Sequence, residues 1–256
     1  MTTDNLTKIN QLLQSIPPGI VLQSAWLQSQ GYSLDLQKYY RTSGWLQAFG
    51  HGAMVRTKDN PGYEGALFAL QNQSNLFIHP GARTALSLLG RVHYLELNAS
   101  QTWLFGGEEE RLPGWFRQHG WGTEIVFKST AFLPVNLGLI DFRFPSFTLQ
   151  VSSPARAIME CLYVAPGEMD LSECYEVMEN LNDLRPTLVQ ELLEKCTSVK
   201  VKRLFLYMAE KWNHPWLPYV DLTKVDLGKG KRSLAAGGVY VAKYQMTVPS
   251  AIAQNE

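Results

Sequence analysis

The chain has 256 residues, of which 45% are hydrophobic, with 23 Lys and Arg against 23 Asp and Glu. That apolar content supports one large core or two smaller ones and excludes a disordered chain, while the balanced charge by itself announces no polyanionic partner. No apolar run approaches the ~20 residues of a membrane helix, so no membrane partner is expected, and the polar MTTDNLTKIN start lacks a signal-peptide core.

Leu6, Ile9, Leu12 and Leu13 form a helical stripe over residues 4–15, broken by Pro17-Pro18-Gly19. Ser24 is placed to cap a short second helix through Trp26 and Leu27, ended by Gly31. Ser33 caps a third helix, 33–43, in which Leu36, Tyr39 and Tyr40 recur at helical spacing before Gly44. Trp45–Phe49 and Ala53–Arg56 then flank Gly50-His51-Gly52 as two strands around a tight turn. Three short helices and a hairpin predict a winged helix-turn-helix domain, residues 1–60, with Asp59-Asn60-Pro61-Gly62 as its boundary.

This pattern carries a chemistry. With Leu36, Tyr39 and Tyr40 inward, Gln37, Lys38 and Arg41 face out from the third helix. Arg and Lys suit guanine edges or phosphates, and Gln suits adenine. Ser33 at the helix N-terminus and His51 and Arg56 on the wing complete the expected DNA-contacting set. A winged helix can instead be a protein–protein module, in which these are ordinary surface residues. The domain has five bases (Lys8, Lys38, Arg41, Arg56, Lys58) against three acids (Asp4, Asp35, Asp59). So small an excess implies weak nonspecific binding, and stable binding would need two half-sites or cooperativity.

Beyond residue 60 the pattern is mixed α/β up to 150. A helix is predicted from Tyr63 to Leu70, a strand at Leu76–Ile78, and a helix starting at Pro80. Strands follow at Val92–Leu97, Trp103–Phe105, Glu124–Phe127, Leu139–Phe144 and Phe147–Val151, with a short helix between Leu112 and His119. From 151 the chain turns mainly helical. Ser153-Pro154 opens one helix, the stripe Leu171, Cys174, Tyr175, Met178, Leu181 marks another, Pro186 starts a third, and Ser198 to Trp212 is a fourth. The tail, Lys224 to Pro249, returns to strands around GKGKR and AAGG. The fold class is therefore α+β: a winged helix, then a domain 61–256 with an α/β part, 61–150, and a mainly helical part, 151–256.

Catalytic signatures are missing. Gly228-Lys229-Gly230-Lys231 lacks phosphate-loop spacing, and neither HExxH nor GxSxG occurs. His79, His93, His119 and His214 are scattered, no CxxC is present, and neither metal nor cofactor is expected. Glu124, Lys128 and Asp141 resemble a metal-dependent nuclease core only loosely, because Lys128 lies four residues beyond Glu124. Cys161, Cys174 and Cys196, odd in number and in apolar helical contexts, predict free thiols and a cytoplasmic location. Charge is segregated: 168–196 holds eight acids against Arg185 and Lys195, and 199–243 holds nine bases against three acids. Either adjacent segments neutralise each other, or a basic face is reserved for an anionic partner. The loop Gly228–Arg232 could approach a phosphate or an acidic partner, or be a solvated turn.

Three stretches resemble the AbiEi antitoxins of type IV toxin–antitoxin systems: YYRTSGWLQAFGHGAMVR, VSSPARAIMECLYV, and VKRLFLYMAEKWNHPW with DLGKGKRSLAAGGVYVAKYQMTVP. The resemblance implies a non-enzymatic protein with two jobs. The winged helix would repress its own operon at inverted repeats of double-stranded DNA, with Gln37, Lys38, Arg41, His51 and Arg56 at the operator. The C-terminal domain would neutralise a cognate nucleotidyltransferase toxin without a stable complex, and the candidates for that surface are Arg156, Lys200, Lys202, Arg203, Lys229, Lys231 and Arg232. A ligand-sensing winged-helix regulator without an antitoxin role is the alternative, and a large apolar pocket with convergent polar groups would favour it.

Overall fold

The N-terminal stripe forms α1 (Lys8–Ser15), which buries Ile9 and Leu12. The computed structural model describes residues 7–91 and 101–253, so Leu6, His93 and the strand expected at Val92–Leu97 lie outside the described residues. A short β1 (Leu22–Gln23) leads into α2 (Ser24–Ser29). Ser24 is its first residue rather than its cap; its hydroxyl is used elsewhere, on Gln37. α3 (Leu34–Thr42) is capped by Ser33, whose side chain accepts a hydrogen bond from Leu36 N. Gly44, at φ +76°, then turns the chain. β2 (Leu46–Gly50) and β3 (Ala53–Arg56) form the wing, and β1 adds to it in the order β1-β3-β2, all antiparallel. The winged helix is as expected, around a core of Leu12, Ile20, Leu22, Leu27, Tyr40, Leu46 and Met54.

α4 (Tyr63–Gln73) packs back on this unit. Val21, Ala53 and Val55 share a second core with Ala66, Leu67 and Leu70. Gly65 makes the approach possible: Val21 N donates to its carbonyl, and a Cβ there would strike the backbone of Gly19. β4 is His79–Pro80, not Leu76–Ile78, and Pro80 lies in that strand. Gly81 precedes α5 (Ala82–Leu88). Pro80 lacks an N–H and suits this two-residue edge strand. β5 (Gln101–Gly106) pairs antiparallel with β4 and parallel with β6 (Glu124–Ser129), giving a small mixed sheet. Between them α6 is only Gly114–Arg117. β7 (Leu139–Arg143) and β8 (Thr148–Ser152) form a separate antiparallel pair.

The helical half has the expected starts. α7 (Pro154–Val164) is capped by Ser153, α9 (Pro186–Lys195) has proline in its first turn, and α10 (Val199–Lys211) is capped by Ser198. α8 (Leu171–Glu179) is capped by Asp170. The largest core cluster joins these helices to α5, β5 and the closing sheet of β9 (Arg232–Ser233), β10 (Val239–Val241) and β11 (Met246–Val248). α11 (Ser250–Ala253) ends the described chain. Trp212 and Trp216 pack into this core, as the aromatic cluster implied, and Tyr219 is exposed. Cys161, Cys174 and Cys196 are free and buried. Burial pushes the Cys161 thiol well up and that of Cys196 up to about 11, so neither favours the thiolate.

Candidate nucleic-acid interface

The outward face of α3 differs from the expected one by part of a turn. Gln37 is 2% exposed and Tyr39 is 61% exposed. The inward stripe is therefore Leu36, Gln37 and Tyr40. The cause is local: the carbonyls of Ser24, at the start of α2, and of Tyr32, in the α2–α3 turn, face α3 and need donors. The Gln37 amide donates to Ser24 O (3.1 Å) and Tyr32 O (2.8 Å) and accepts from the Ser24 hydroxyl (2.7 Å). A buried polar group so satisfied is a structural brace and cannot reach a base. Gln37 is thus removed from the expected contact set, and Tyr39 takes its place on the outer face beside Lys38, Arg41 and Thr42.

Lys38 and Arg41 are exposed, and neither forms an ion pair with any described residue. Ser33 is exposed at the N-terminal end of α3 but has its oxygen on Leu36 N. His51 is exposed at the wing tip. Arg56 is the second correction. Its guanidinium turns inward and donates to the carbonyls of Leu13 and Ile16, the orphan acceptors at the end of α1. It fastens α1 to the wing instead of facing a phosphate.

The wing is not free-standing. Phe49 of β2 packs, with rings tilted, against His119 (4.2 Å between ring centroids) and Trp121 (5.9 Å), and meets Trp115 of α6 edge-on. Gly50, at φ +137°, is where the backbone comes closest: a Cβ there would lie 2.9 Å from Trp115 Cβ. The wing thus rests on the loop between β5 and β6.

The seven C-terminal basic candidates divide into three buried, one half-buried and three exposed. Arg156, Lys202 and Arg203 are 4%, 5% and 2% exposed, so they form no surface. Arg156 donates to Glu160 (2.8 Å) and to the carbonyls of Pro134 and Leu137. Arg203 donates to the carbonyls of Leu227, Gly228, Gly230 and Gln245 and so fixes the Gly228–Arg232 loop from beneath. Lys200 is half-buried, with its ammonium on the carbonyls of Tyr163 and Ala165, and burial holds its pKa below the ordinary lysine value. Lys229, Lys231 and Arg232 are exposed together, and the Lys231 ammonium lies 5.3 Å from the ring centre of the exposed Tyr240. The acidic stretch does not neutralise them. Its Glu168, Glu173 and Asp183 pair with Lys128, Arg83 and Arg91 of the central region.

Sequence reasoning missed Glu160. It is fully buried and receives Ala82 N (2.9 Å), the Ser152 hydroxyl (2.8 Å), Arg156 Nε (2.8 Å) and His79 Nε2 (3.3 Å). Burial pushes its carboxyl up, but the His79 hydrogen bond and the Arg156 and His79 charges outweigh that and hold it at about 2. The signal was present as an Arg156–Glu160 spacing of four on a helix. The nuclease-like trio is not assembled: Lys128 pairs with Glu168, Glu124 accepts from Gln101, and Asp141 lies on another sheet. Among the described residues no group of three His, Cys, Asp or Glu side chains could hold a metal, and no helix is long and apolar enough to cross a membrane.

A winged helix with its third helix uncovered, joined to a mixed α/β and helical region, places the protein among the winged-helix proteins. Residues 5–97 match the family described as transcriptional regulator, AbiEi antitoxin N-terminal domain, and residues 99–249 match transcriptional regulator, AbiEi antitoxin, type IV TA system. The chain belongs to the AbiEi family of type IV antitoxins and transcriptional regulators. Its fold is similar to the crystal structure of the RV2827C protein from Mycobacterium tuberculosis, with a TM-score of 0.56 at 13% identity over 96% of this chain and 92% of that one. No curated protein matches it.

Proposed function

We propose that the protein is a non-enzymatic cytoplasmic antitoxin that neutralises a cognate nucleotidyltransferase toxin and represses its own operon. In this reading α3 enters the major groove of a double-stranded inverted-repeat operator, with Lys38, Tyr39 and Arg41 facing the DNA and His51 on the flanking backbone. The observation that carries it is the outer face of α3, where Lys38 and Arg41 stand uncovered and without ion-pair partners among the described residues. One winged helix has little excess positive charge, so two copies on the two half-sites supply the affinity. Neutralisation is assigned to residues 61–256, with Lys229, Lys231 and Arg232 as the exposed basic group, and needs no stable toxin complex.

The test is fluorescence anisotropy with the DNA upstream of the gene, comparing the wild type with the Lys38→Ala/Arg41→Ala pair. Specific binding by the wild type and at least a tenfold loss in the variant are expected. Equal binding by both would remove α3 from the interface.

A further inference from the structure

The loop that carries the wing also lines a large groove. A cavity of about 730 Å³ opens beside α6, lined by Leu112, Phe116, Trp121, Ile125 and Phe127 on its apolar side and by Arg111, Arg117 and His119 on its polar side. Its size falls within the range of small-molecule sites, and its lining is aromatic with a few convergent polar groups. Among the described residues no carboxylate lines it. Strand alternation explains this: Ile125 and Phe127 turn to the cavity, and Glu124 and Lys128 belong to the other face of β6.

The basic groups are available in different degrees. Arg117 is exposed, and its guanidinium has no hydrogen-bond or ion-pair partner among the described residues. Arg111 is anchored through one nitrogen, which donates to the carbonyls of Glu108 and Glu110 and to the Ser129 hydroxyl. Trp121 is fixed by its indole N–H on Phe116 O (2.8 Å), which leaves its ring as a rigid wall. A wall of aromatic rings beside guanidinium groups suits a planar ring that carries an anionic group. A nucleoside monophosphate has that chemistry.

Two lining residues are also the seat of the wing. His119 and Trp121 lie 4.4 Å apart between ring centroids, and both pack on Phe49 of β2. A ligand that moves or stiffens either ring acts directly on the strand that precedes His51. We infer that this groove is an effector site for a nucleoside monophosphate, and that its occupancy biases the wing. The inference goes beyond the proposed function and stands on the groove itself, so it does not require that α3 bind DNA.

The experiment uses the full chain with AMP, GMP, CMP and UMP in isothermal titration calorimetry, followed by hydrogen exchange of residues 46–56 with the best binder. Saturable binding by at least one nucleotide is expected, weakened tenfold or more in Arg117→Ala. That variant removes an exposed side chain with no described partner, so it should fold. Circular dichroism confirms this, and His119→Gln provides a second variant. Wing amides in β2 and β3 should exchange more slowly in the bound protein. No binding by any of the four at millimolar concentration, or binding that Arg117→Ala and His119→Gln leave unchanged, overturns the site. Binding with unaltered wing exchange overturns its link to the wing. Loss of operator binding in the Lys38→Ala/Arg41→Ala pair bears on the proposed function alone and leaves both of these readouts intact.

Discussion

Replacing Glu160 by glutamine keeps the volume and removes the charge. The carboxylate accepts four hydrogen bonds, from Ala82 N, Ser152, Arg156 and His79, and is fully buried. Without it the Arg156 guanidinium stays buried beside a neutral amide. Removing one partner of a buried pair costs about 3–5 kcal/mol. The acidity of the group, set by the same contacts, gives a consistent figure. Its pKa falls from 4.5 to about 2, a shift worth about 3 kcal/mol at ~1.4 kcal/mol per unit. The folded-state pKa is depressed, so this stability is fully present above pH ~4.5 and is lost as pH falls towards 2. The assay is urea unfolding followed by circular dichroism, from pH 7 down to pH 3, for wild type and Glu160→Gln. The variant should be less stable by about 3 kcal/mol or more at pH 7, and the gap should narrow as pH falls. A gap below about 1 kcal/mol at neutral pH, or one that does not change with pH, would refute the reasoning.

Arg41→Ala should weaken operator binding by about 1–3 kcal/mol if the side chain meets a base, with the melting temperature unchanged; anisotropy and differential scanning fluorimetry read the two. Gln37→Ala should do the reverse in origin, costing about 1–3 kcal/mol of stability because Ser24 and Tyr32 lose their buried partner; chemical denaturation reads it, and a stable variant defective only in DNA binding would contradict the inward placement. Ser33→Ala should cost about 0.5–2 kcal/mol through loss of the α3 cap, again read by denaturation. Charge reversal at Lys229, Lys231 and Arg232 together should abolish rescue from the toxin in co-expressing cells while operator affinity, which the proposal assigns to α3 and the wing, stays within about twofold.

Local signals were legible. Ser33 and Ser153 cap helices as the sequence implied, the helix expected from Ser198 starts one residue later with Ser198 as its cap, and Pro154 and Pro186 stand in first turns. The hairpin around Gly50-His51-Gly52 followed from its turn residues. What failed were inferences from polarity to exposure. Gln37, Arg56, Arg156, Lys202 and Arg203 are polar, and a sequence read in windows sends them to solvent. Their partners are mostly carbonyls distant in sequence: Arg56 reaches back to Leu13 and Ile16, and Arg203 reaches ahead to Leu227 and Gln245. Orphan acceptors at helix ends and in tight loops create such demand, and their positions exist only after folding. The same holds for the groove, because Phe49 and Trp121 meet only when the wing docks.

That docking also decides how the two proposed activities are separated. Cutting the chain at residue 60 would expose Val21, Ala53 and Val55, which share a core with α4, so point substitutions are the sounder tool. The most direct measurement is growth of cells that express the product of the neighbouring gene, the proposed nucleotidyltransferase toxin, together with either the wild type or the Lys38→Ala/Arg41→Ala variant, with a reporter behind the upstream DNA in the same cells. The account predicts that both proteins restore growth and that only the wild type silences the reporter. Failure of the wild type to rescue cells from a demonstrably toxic neighbour would contradict it.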